Sequence, residues 1–488
     1  AEAITAMHFP TKLTDVQQAR ERLGFEELFE MLLASQLNKQ SNQKLTGIAM
    51  PFDQLAVKDF VSKLPFALTG DQRRAAWQII QDFESAVPMN RLLQGDVGSG
   101  KTVVAALAAR QAAVAGYQTA IMAPTEILAR QHAKTLADLL EPFGVTVGLL
   151  IGSVKGQARE QLYQGIENGS VAVVVGTHAL IQGAVAFNNL GFVVIDEQHR
   201  FGVEQRQKLL NKANTMPHLL AMTATPIPRS LALTLYGELE VSILSEKPAN
   251  RKPIITKIVN PASVPTVYKH IDEQISGGRQ AYIICSLIDD NPDNDLKSVQ
   301  AEYKKLKNSV FTHRKIGLLH GKLKPAEKEQ VMQDFKDNKY DILVSTTVVE
   351  VGVDVPNATL MMIENADRFG LSQLHQLRGR VGRSDLQSYC YLIMSTSQKP
   401  TPRLREIEKS NDGFYLAEAD LKLRGPGEIY GRAQHGSLNL QIATLGDTKL
   451  IKRASDAAKV FVASGQDLLQ YKELAEQVRY YQRLTTLN

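Results

Sequence analysis

Cysteine is almost missing from this chain: Cys285 and Cys390 are the only two in 488 residues. Both lie in apolar stretches, AYIICSLI and SYCYLIM, that read as buried strands. A disulfide framework or a cysteine zinc site is not supported, and a reducing compartment is expected. Long apolar runs are lacking too, and none reaches the length of a membrane span. The first residues, AEAITAMHFPTKL, show no basic start followed by an apolar block, so no secretory signal is read there. Charge of one sign is not in large excess. The net of +5 permits a polyanionic partner without demanding one. The chain opens on Ala1 rather than Met and is read as a fragment.

What the chain does have is alternation. Its length exceeds what one ordinary core supports, so two large domains are expected. Residues 1–60 form a helical lead-in, with Leu23, Leu28, Phe29, Leu32 and Leu33 on the apolar face of an amphipathic helix. From about Leu64, strand-length runs rich in β-branched residues alternate with helical stretches: RLLQG, QTAIMAP, VTVGLLIG, VAVVVGT, GFVVIDE and HLLAMTAT. Buried parallel strands joined by crossover helices read this way. The polar, proline-bearing stretch LSEKPANRKP, Leu244 to Pro253, marks a linker. Alternation resumes with AYIICS, KIGLLHG, YDILVSTT, ATLMMIEN and SYCYLIM and fades past Lys399. The expected fold is α/β with two lobes, 61–247 and 248–398, followed by a helical extension over 399–488.

GDVGSGKT, residues Gly95, Asp96, Val97, Gly98, Ser99, Gly100, Lys101 and Thr102, matches the P-loop pattern in full. It follows the run RLLQ and opens a helix, which is the context the motif requires. The glycines let backbone N–H groups close around phosphate oxygens, and the helix N-terminus adds a favourable field. Lys101 is assigned to the β- and γ-phosphates of ATP and Thr102 to Mg²⁺. DEQH follows the strand GFVVI and places Asp196 as a second Mg²⁺ ligand and Glu197 as the group that polarises the attacking water. His199 is read as a relay.

QLRGRVGRS, Gln376 to Ser384, begins in a helical stretch and presents Arg380 and Arg383 about one turn apart. Taken alone it is more simply a solvated basic face. Paired with a P-loop lobe that has no finger of its own, it reads as the source of an arginine finger. Gln376, Arg380 and Arg383 are therefore counted among the catalytic candidates.

The ordered set GDVGSGKT, APTEILARQ, GTHALI, DEQHRFGVEQR, TATPIPR, STTVVEVGVDVP and QLHQLRGRVGR resembles superfamily-two helicases, DEAD/DEAH-like motors built on two tandem RecA-like lobes. The resemblance is closest to the RecG-type branched-DNA helicases and runs from about residue 60 to the end. The translocase module of transcription-repair coupling factors is similar across DEQHRFGV and TATPIPR. Ser99 and the stretch LALTLYGELEVSILSEKPANRKP favour the RecG type. The resemblance implies that Gln72 in LPFALTGDQ reads adenine and that Phe66 stacks on it; without the family, Phe66 is more simply a core aromatic. It implies that Thr223 and Thr225 link hydrolysis to movement, and that Gly352 and Asp354 touch ribose and the neighbouring phosphate. Thr125, Gln131, Thr177, His178, Lys322 and Thr346 fall where such motors contact the nucleic-acid backbone, and any one of them taken singly also reads as a cap or core residue.

The stretch ADLKLRGPGEIYGRAQHG, Ala419 to Gly436, resembles the family's translocation motif, a helical hairpin and loop. Gly425, Pro426 and Gly427 are expected to form its bend, and Arg424, Arg432 and Gln434 to carry its polar contacts. Many members have a basic residue directly before the glutamine; this chain has Ala433. The N-terminal wedge domain of the family has no counterpart here, so the chain reads as the motor part. The implied activity is ATP- and Mg²⁺-dependent translocation on duplex and branched DNA, such as stalled forks and Holliday junctions, in recombination and repair. DNA would be gripped by sequence-independent backbone contacts. The same resemblance implies a monomeric, DNA-associated bacterial motor in the cytoplasm, away from membranes. It also brings single-strand-binding and other replication-fork proteins into view as partners. An RNA-stimulated helicase and a nucleotide-gated module that remodels a protein partner are the competing readings.

Overall fold

The computed structural model describes residues 2–42, 44–225, 239–246, 252–285, 292–346, 355–396, 399–428, 440–443 and 447–485. By their contacts the residues group into two compact units. The first comprises Ala1–Gly95, Gly100–Leu244 and Arg424–Asn488, and the second comprises Asp96–Ser99 and Ser245–Leu423.

The first unit is built on a seven-stranded sheet: β1 (Asn90–Gly95), β2 (Gln118–Met122), β3 (Val147–Leu150), β4 (Val173–Gly176), β5 (Leu190–Asp196), β6 (His218–Thr223) and β7 (Glu240–Leu244). All pairs are parallel and the order is β3-β4-β2-β5-β6-β1-β7. Each of the six apolar runs became a strand. The central ones are buried along their whole length, because helices cover both faces of a parallel sheet. β7 was not foreseen. It is a half-exposed edge strand, and EVSIL lacks the apolar density of a central strand.

Before the sheet run α1 (Leu13–Asn42) and α2 (Gly70–Phe83). α3 (Lys101–Val114) follows β1, α4 (Glu126–Leu140) follows β2 and α5 (Val203–Leu210) follows β5. α3 is buried almost throughout, from Val103 to Ala112; its alanines allow close approach on every side.

The second unit carries six parallel strands: β8 (Ile255–Val259), β9 (Gln280–Ile284), β10 (Ile316–Leu319), β11 (Ile342–Ser345), β12 (Ala358–Ile363) and β13 (Tyr389–Ile393). Their order is β10-β11-β9-β12-β13-β8. Strand for strand this repeats β3-β4-β2-β5-β6-β1, so the two sheets share one winding. Ile271, Ile283, Val344, Leu360 and Met362 fill the core. Both cysteines are buried and unbridged. Three helices close the unit: α6 (Leu371–Arg378), α7 (Pro402–Lys409) and α8 (Gly413–Glu428).

α8 corrects one expectation. Its backbone is helical through Gly425, Pro426 and Gly427, which were to form the bend, as far as Glu428, the last described residue of that stretch. Arg432 and Gln434 lie outside the described residues, as do Gly352 and Asp354.

The chain ends in α9 (Thr448–Ala463) and α10 (Lys472–Thr485), both packed on α1. Leu28, Leu32 and Leu33 of α1 are buried, together with Ile451, Ala454 and Ala458 of α9 and Val478 of α10. The apolar face read in the lead-in therefore meets the far end of the chain, more than 400 residues away. No described helix is long and apolar enough to cross a membrane.

Candidate active site

In a parallel sheet, loops at the carboxyl ends of the strands build the site. The carboxyl ends of the first sheet present Thr177 and His178 after β4, Thr125 after β2, Asp196 and Glu197 at β5, Thr223 and Thr225 at β6, and, after β1, the glycine-rich loop, whose residues Asp96–Ser99 group with the second unit. The nucleotide candidates thus follow neighbouring strands on one side of the sheet, and the backbone-contact candidates follow strands on the other.

The loop has the backbone a phosphate cradle needs. Gly98 and Gly100 have φ of +72° and +87°, a region where side chains are strained. At Gly100 a Cβ would also lie 2.2 Å from the Gln72 amide nitrogen, so the Gln72 side chain would have to shift. Gly100 also caps α3 without any side-chain bond, the arrangement in which an anion supplies the missing acceptors. Lys101 donates to the Gly95 carbonyl at 2.7 Å, which holds its ammonium back along the loop. Asp96 and Ser99 are buried; the Val97 N–H bonds Asp96 Oδ1 at 2.8 Å, and the Ser99 N–H bonds the Asp96 carbonyl at 3.1 Å.

Asp196 is buried at the end of β5, with its Oδ2 2.8 Å from His132 Nε2. Burial works against its charge. The His132 charge and hydrogen bond, with the Lys101 ammonium, outweigh burial and hold the carboxyl below its ordinary value. His132, on α4, was missed by reading the sequence: it lies 64 positions from its partner, in a stretch that looks like plain amphipathic helix. Glu197 adopts φ +50°, ψ +55°, a left-handed conformation that costs a non-glycine residue roughly 1–2 kcal/mol. Its Oε2 accepts the Ala224 N–H at 3.3 Å, between Thr223 and Thr225, whose hydroxyls are 2.6 Å apart. The acidic turn and the TAT segment are therefore already hydrogen-bonded to each other. His199 Nδ1 lies 3.7 Å from the same carboxylate; burial, then Arg200, lowers its pKa, and Asp196 opposes them.

The remaining candidates divide. Phe66 is 48% exposed, so the core-aromatic reading fails and its ring is available. Gln72 is buried and serves as the reciprocal partner of the Thr69 cap, its Oε1 accepting the Thr69 N–H at 2.9 Å. Thr125 caps α4, accepting the Leu128 N–H at 3.4 Å. Gln131 is half-buried on α4 and His178 is exposed. The Thr177 hydroxyl is buried and has no hydrogen-bond partner among the described residues.

In the second unit Lys322, exposed, follows β10, and Thr346, buried, follows β11. α6 ends at Arg378, so Arg380 and Arg383 sit in the turn beyond it rather than one turn apart on a helix. Gly379 and Gly382 (φ +77°) break the helix there. Arg380 is only 5% exposed, which rules out a solvated basic face. Arg383 Nε donates to the Gly379 carbonyl at 3.4 Å, and Gln376 is half-buried on α6.

Arg378, passed over in the sequence, is among the most deeply buried side chains in the chain. It donates to the carbonyls of Ile407 (2.6 Å) and Ser410 (2.9 Å), to Thr256 Oγ1 (3.3 Å) and to His375 Nδ1 (3.0 Å). Ser372 Oγ donates to Asp420 Oδ2 at 3.1 Å. The helix that leads into the arginine turn is thus bonded to both α7 and α8. Arg378→Ala would orphan buried carbonyls and leave a cavity. We expect a loss of about 2–5 kcal/mol, read as a lower unfolding midpoint in denaturant.

A repeat visible in the letters was also missed. IDEQHRFGVEQ at the end of β5 and IENADRFGLSQ at the end of β12 share Arg-Phe-Gly and the glutamine three residues on. Both fold alike: a left-handed residue (Glu197, Asn365), one 3₁₀ turn, then a glycine N–H bonded to that glutamine at 3.3 and 3.1 Å. The electrostatics differ. Glu364, in the place of Asp196, is pushed up to about 7 by burial and by Glu302, with only Lys305 opposing. Burial and His132 thus act on opposite sides at Asp196, whereas burial and Glu302 act together at Glu364.

Family models match in chain order. DEAD/DEAH box helicase covers 69–234, the helicase conserved C-terminal domain covers 264–385, and a model described as ATP-dependent DNA helicase RecG, domain 3, C-terminal, covers 410–487. A solved structure of Mss116p bound to single-stranded RNA, at 19% identity and TM-score 0.55, covers 74% of this chain and 75% of that one; at that identity it supports the fold alone. The family models define a protein of two helicase-type lobes followed by a RecG-type C-terminal region. More particularly, the chain belongs to the RecG family. It is 46% identical to ATP-dependent DNA helicase RecG of Thermotoga maritima, over 97% of this chain and 61% of that protein. It is also 46% identical to that of Staphylococcus epidermidis, over 98% and 70%. A structure of RecG bound to a three-way DNA junction matches with TM-score 0.81 and 44% identity, covering 93% of this chain and 59% of that one. The chain thus spans about three-fifths of the length of several of these relatives.

Proposed function

We propose that this chain is the ATP-driven motor of a double-stranded DNA translocase that acts on branched DNA in recombination and repair. The observation that supports it most is Asp196. It is a buried carboxylate at a strand end, held below its ordinary value by His132 and the P-loop lysine, in the unit whose α3 begins at the glycine-rich loop with a glycine cap. That donor set fits Mg²⁺ and a nucleotide triphosphate. Thr102 and Asp196 would hold the metal, which when bound supplies positive charge to the phosphate oxygens. Lys101 grips the phosphates, Glu197 orients water, and Arg380 and Arg383 answer the charge that develops on the transferred group. Gln376 assists them from α6. Phe66 and Gln72 recognise the base, and Gly352 and Asp354 recognise the sugar.

The Glu197–Ala224 bond gives hydrolysis a direct route to Thr223 and Thr225. Thr125, Gln131, Thr177, His178, Lys322 and Thr346 contact the DNA backbone, and Arg424, Arg432 and Gln434 couple hydrolysis to movement. Such contacts carry little sequence information. The protein works as a monomer in the bacterial cytoplasm, alongside single-strand-binding and other fork proteins.

ATPase activity with linear duplex, forked and single-stranded DNA and with RNA, at two salt concentrations, tests the reading. Duplex and forked DNA are expected to stimulate turnover most, independently of sequence and less at high salt. A flat response, or preference for RNA, would sink it.

A further inference from the structure

A carboxylate of the lead-in helix holds the C-terminal base of the coupling segment. Glu27 Oε1 accepts the backbone N–H of Gln441 at 2.8 Å, and its Oε2 accepts those of Ile442 and Ala443 at 3.0 and 2.7 Å. Three successive N–H groups turned on one carboxylate form an anion nest, and the anion here is a side chain at least 414 positions away. One turn earlier on α1, Gly24 lets the backbone in: a Cβ there would sit 3.4 Å from Ala443 Cα and 3.3 Å from Leu450 Cδ2. Leu440 and Ala443 are buried. Asp447 then caps α9 through the Leu450 N–H at 3.0 Å. α9 lies along α1, with Arg453 paired to Glu21 and Phe461 edge-on to Phe29 at 6.2 Å.

We propose that Glu27 is the fixed post against which the coupling segment works. This rests on the reading that Arg424, Arg432 and Gln434 couple hydrolysis to movement. The chain approaches that segment along α8, most of which groups with the second unit, and leaves it at the Glu27 nest in the first. Residues 413–423 of α8 group with the second unit and the chain from Arg424 on with the first, so the segment transmits displacement only if the helix before it and the residues after it are both tied. α8 is tied through Asp420 to Ser372, on the helix that leads into the arginine turn. The other end is tied by charge-assisted bonds, which are directional and about twice as strong as neutral ones, so that end does not slide as an apolar contact would. Glu27 is a positioning residue: it acts through the backbone N–H groups of residues 441–443.

Glu27→Ala and Glu27→Gln test this in the full chain through thermal unfolding, DNA-stimulated ATPase, and ATP consumed per base pair travelled. Travel is read by displacement of a triplex strand from linear duplex. Stimulated ATPase should stay within about twofold, while displacement by Glu27→Ala falls about tenfold, the order expected for losing bonds to a charged group. Glu27→Gln, which keeps one accepting oxygen, should fall between. Arg453→Ala removes an ion pair on the same helix pair away from the nest, and should leave the ATP cost per base pair unchanged. Parallel loss of ATPase and displacement in Glu27→Ala, or an equal rise in ATP cost in Arg453→Ala, would overturn the proposal. Gln434→Ala probes the underlying reading. If it leaves the ATP cost unchanged, the coupling segment has been misassigned; if it raises the cost and Glu27→Ala does not, Glu27 alone is excluded.

Discussion

Lys101→Ala is expected to abolish DNA-stimulated ATP hydrolysis, lowering turnover by at least about 10²–10³-fold, the range for removing one preorganised charge or donor from a reacting centre. The expectation is specific because the fold asks little of Lys101. Its ammonium donates to the carbonyl of Gly95, six positions away in the same loop. Losing that bond costs about 1 kcal/mol, so the variant should unfold close to the unaltered chain. The substitution also removes one of the charges that keep Asp196 ionised, but His132 remains the larger influence. Turnover should therefore fall with the Asp196 carboxylate still ionised. Steady-state ATPase with duplex DNA, paired with a melting curve, checks both halves. Surviving turnover would mean that the phosphate site lies elsewhere.

Arg383→Ala should cost about 10³-fold or more in kcat, the scale of an arginine finger, with a much smaller change in the KM for ATP. Arg383 is the better probe of the pair because Arg380 is nearly fully buried and its loss would also disturb folding. Arg383→Lys should not rescue, since an ammonium lacks the planar fork that meets two oxygens at once. A stopped-flow phosphate-release assay separates the slowed chemical step from weakened binding. A kcat within tenfold of the unaltered chain would remove Arg383 from the catalytic set.

How much of this was legible can be seen strand by strand. Central strands were readable because a sheet covered on both faces demands unbroken apolar runs, and VVVG or GFVVID satisfies nothing else. β7 and β8 were not, because their letters mix polar and charged residues among the apolar ones: EVSIL and ITKIV, whereas the other two edge strands, β3 and β10, keep apolar runs. The glycine-rich loop was readable because its glycines, lysine and threonine are contiguous. Arg380 and Arg383 were found, but their placement was not, since a glycine-broken turn after a helix differs from a helix only in backbone angles.

The sequence by itself determined the central strands of both lobes, the glycine-rich loop and the acidic turn, because each is a short contiguous stretch whose chemistry acts on its own backbone. Only the tertiary structure decided that His132 meets Asp196, that Arg378 ties its helix to α7, and that Glu27 holds residues 441–443. Those pairs are brought together by packing across 64, 29 and more than 400 positions, and no local period or propensity records a partner at that distance.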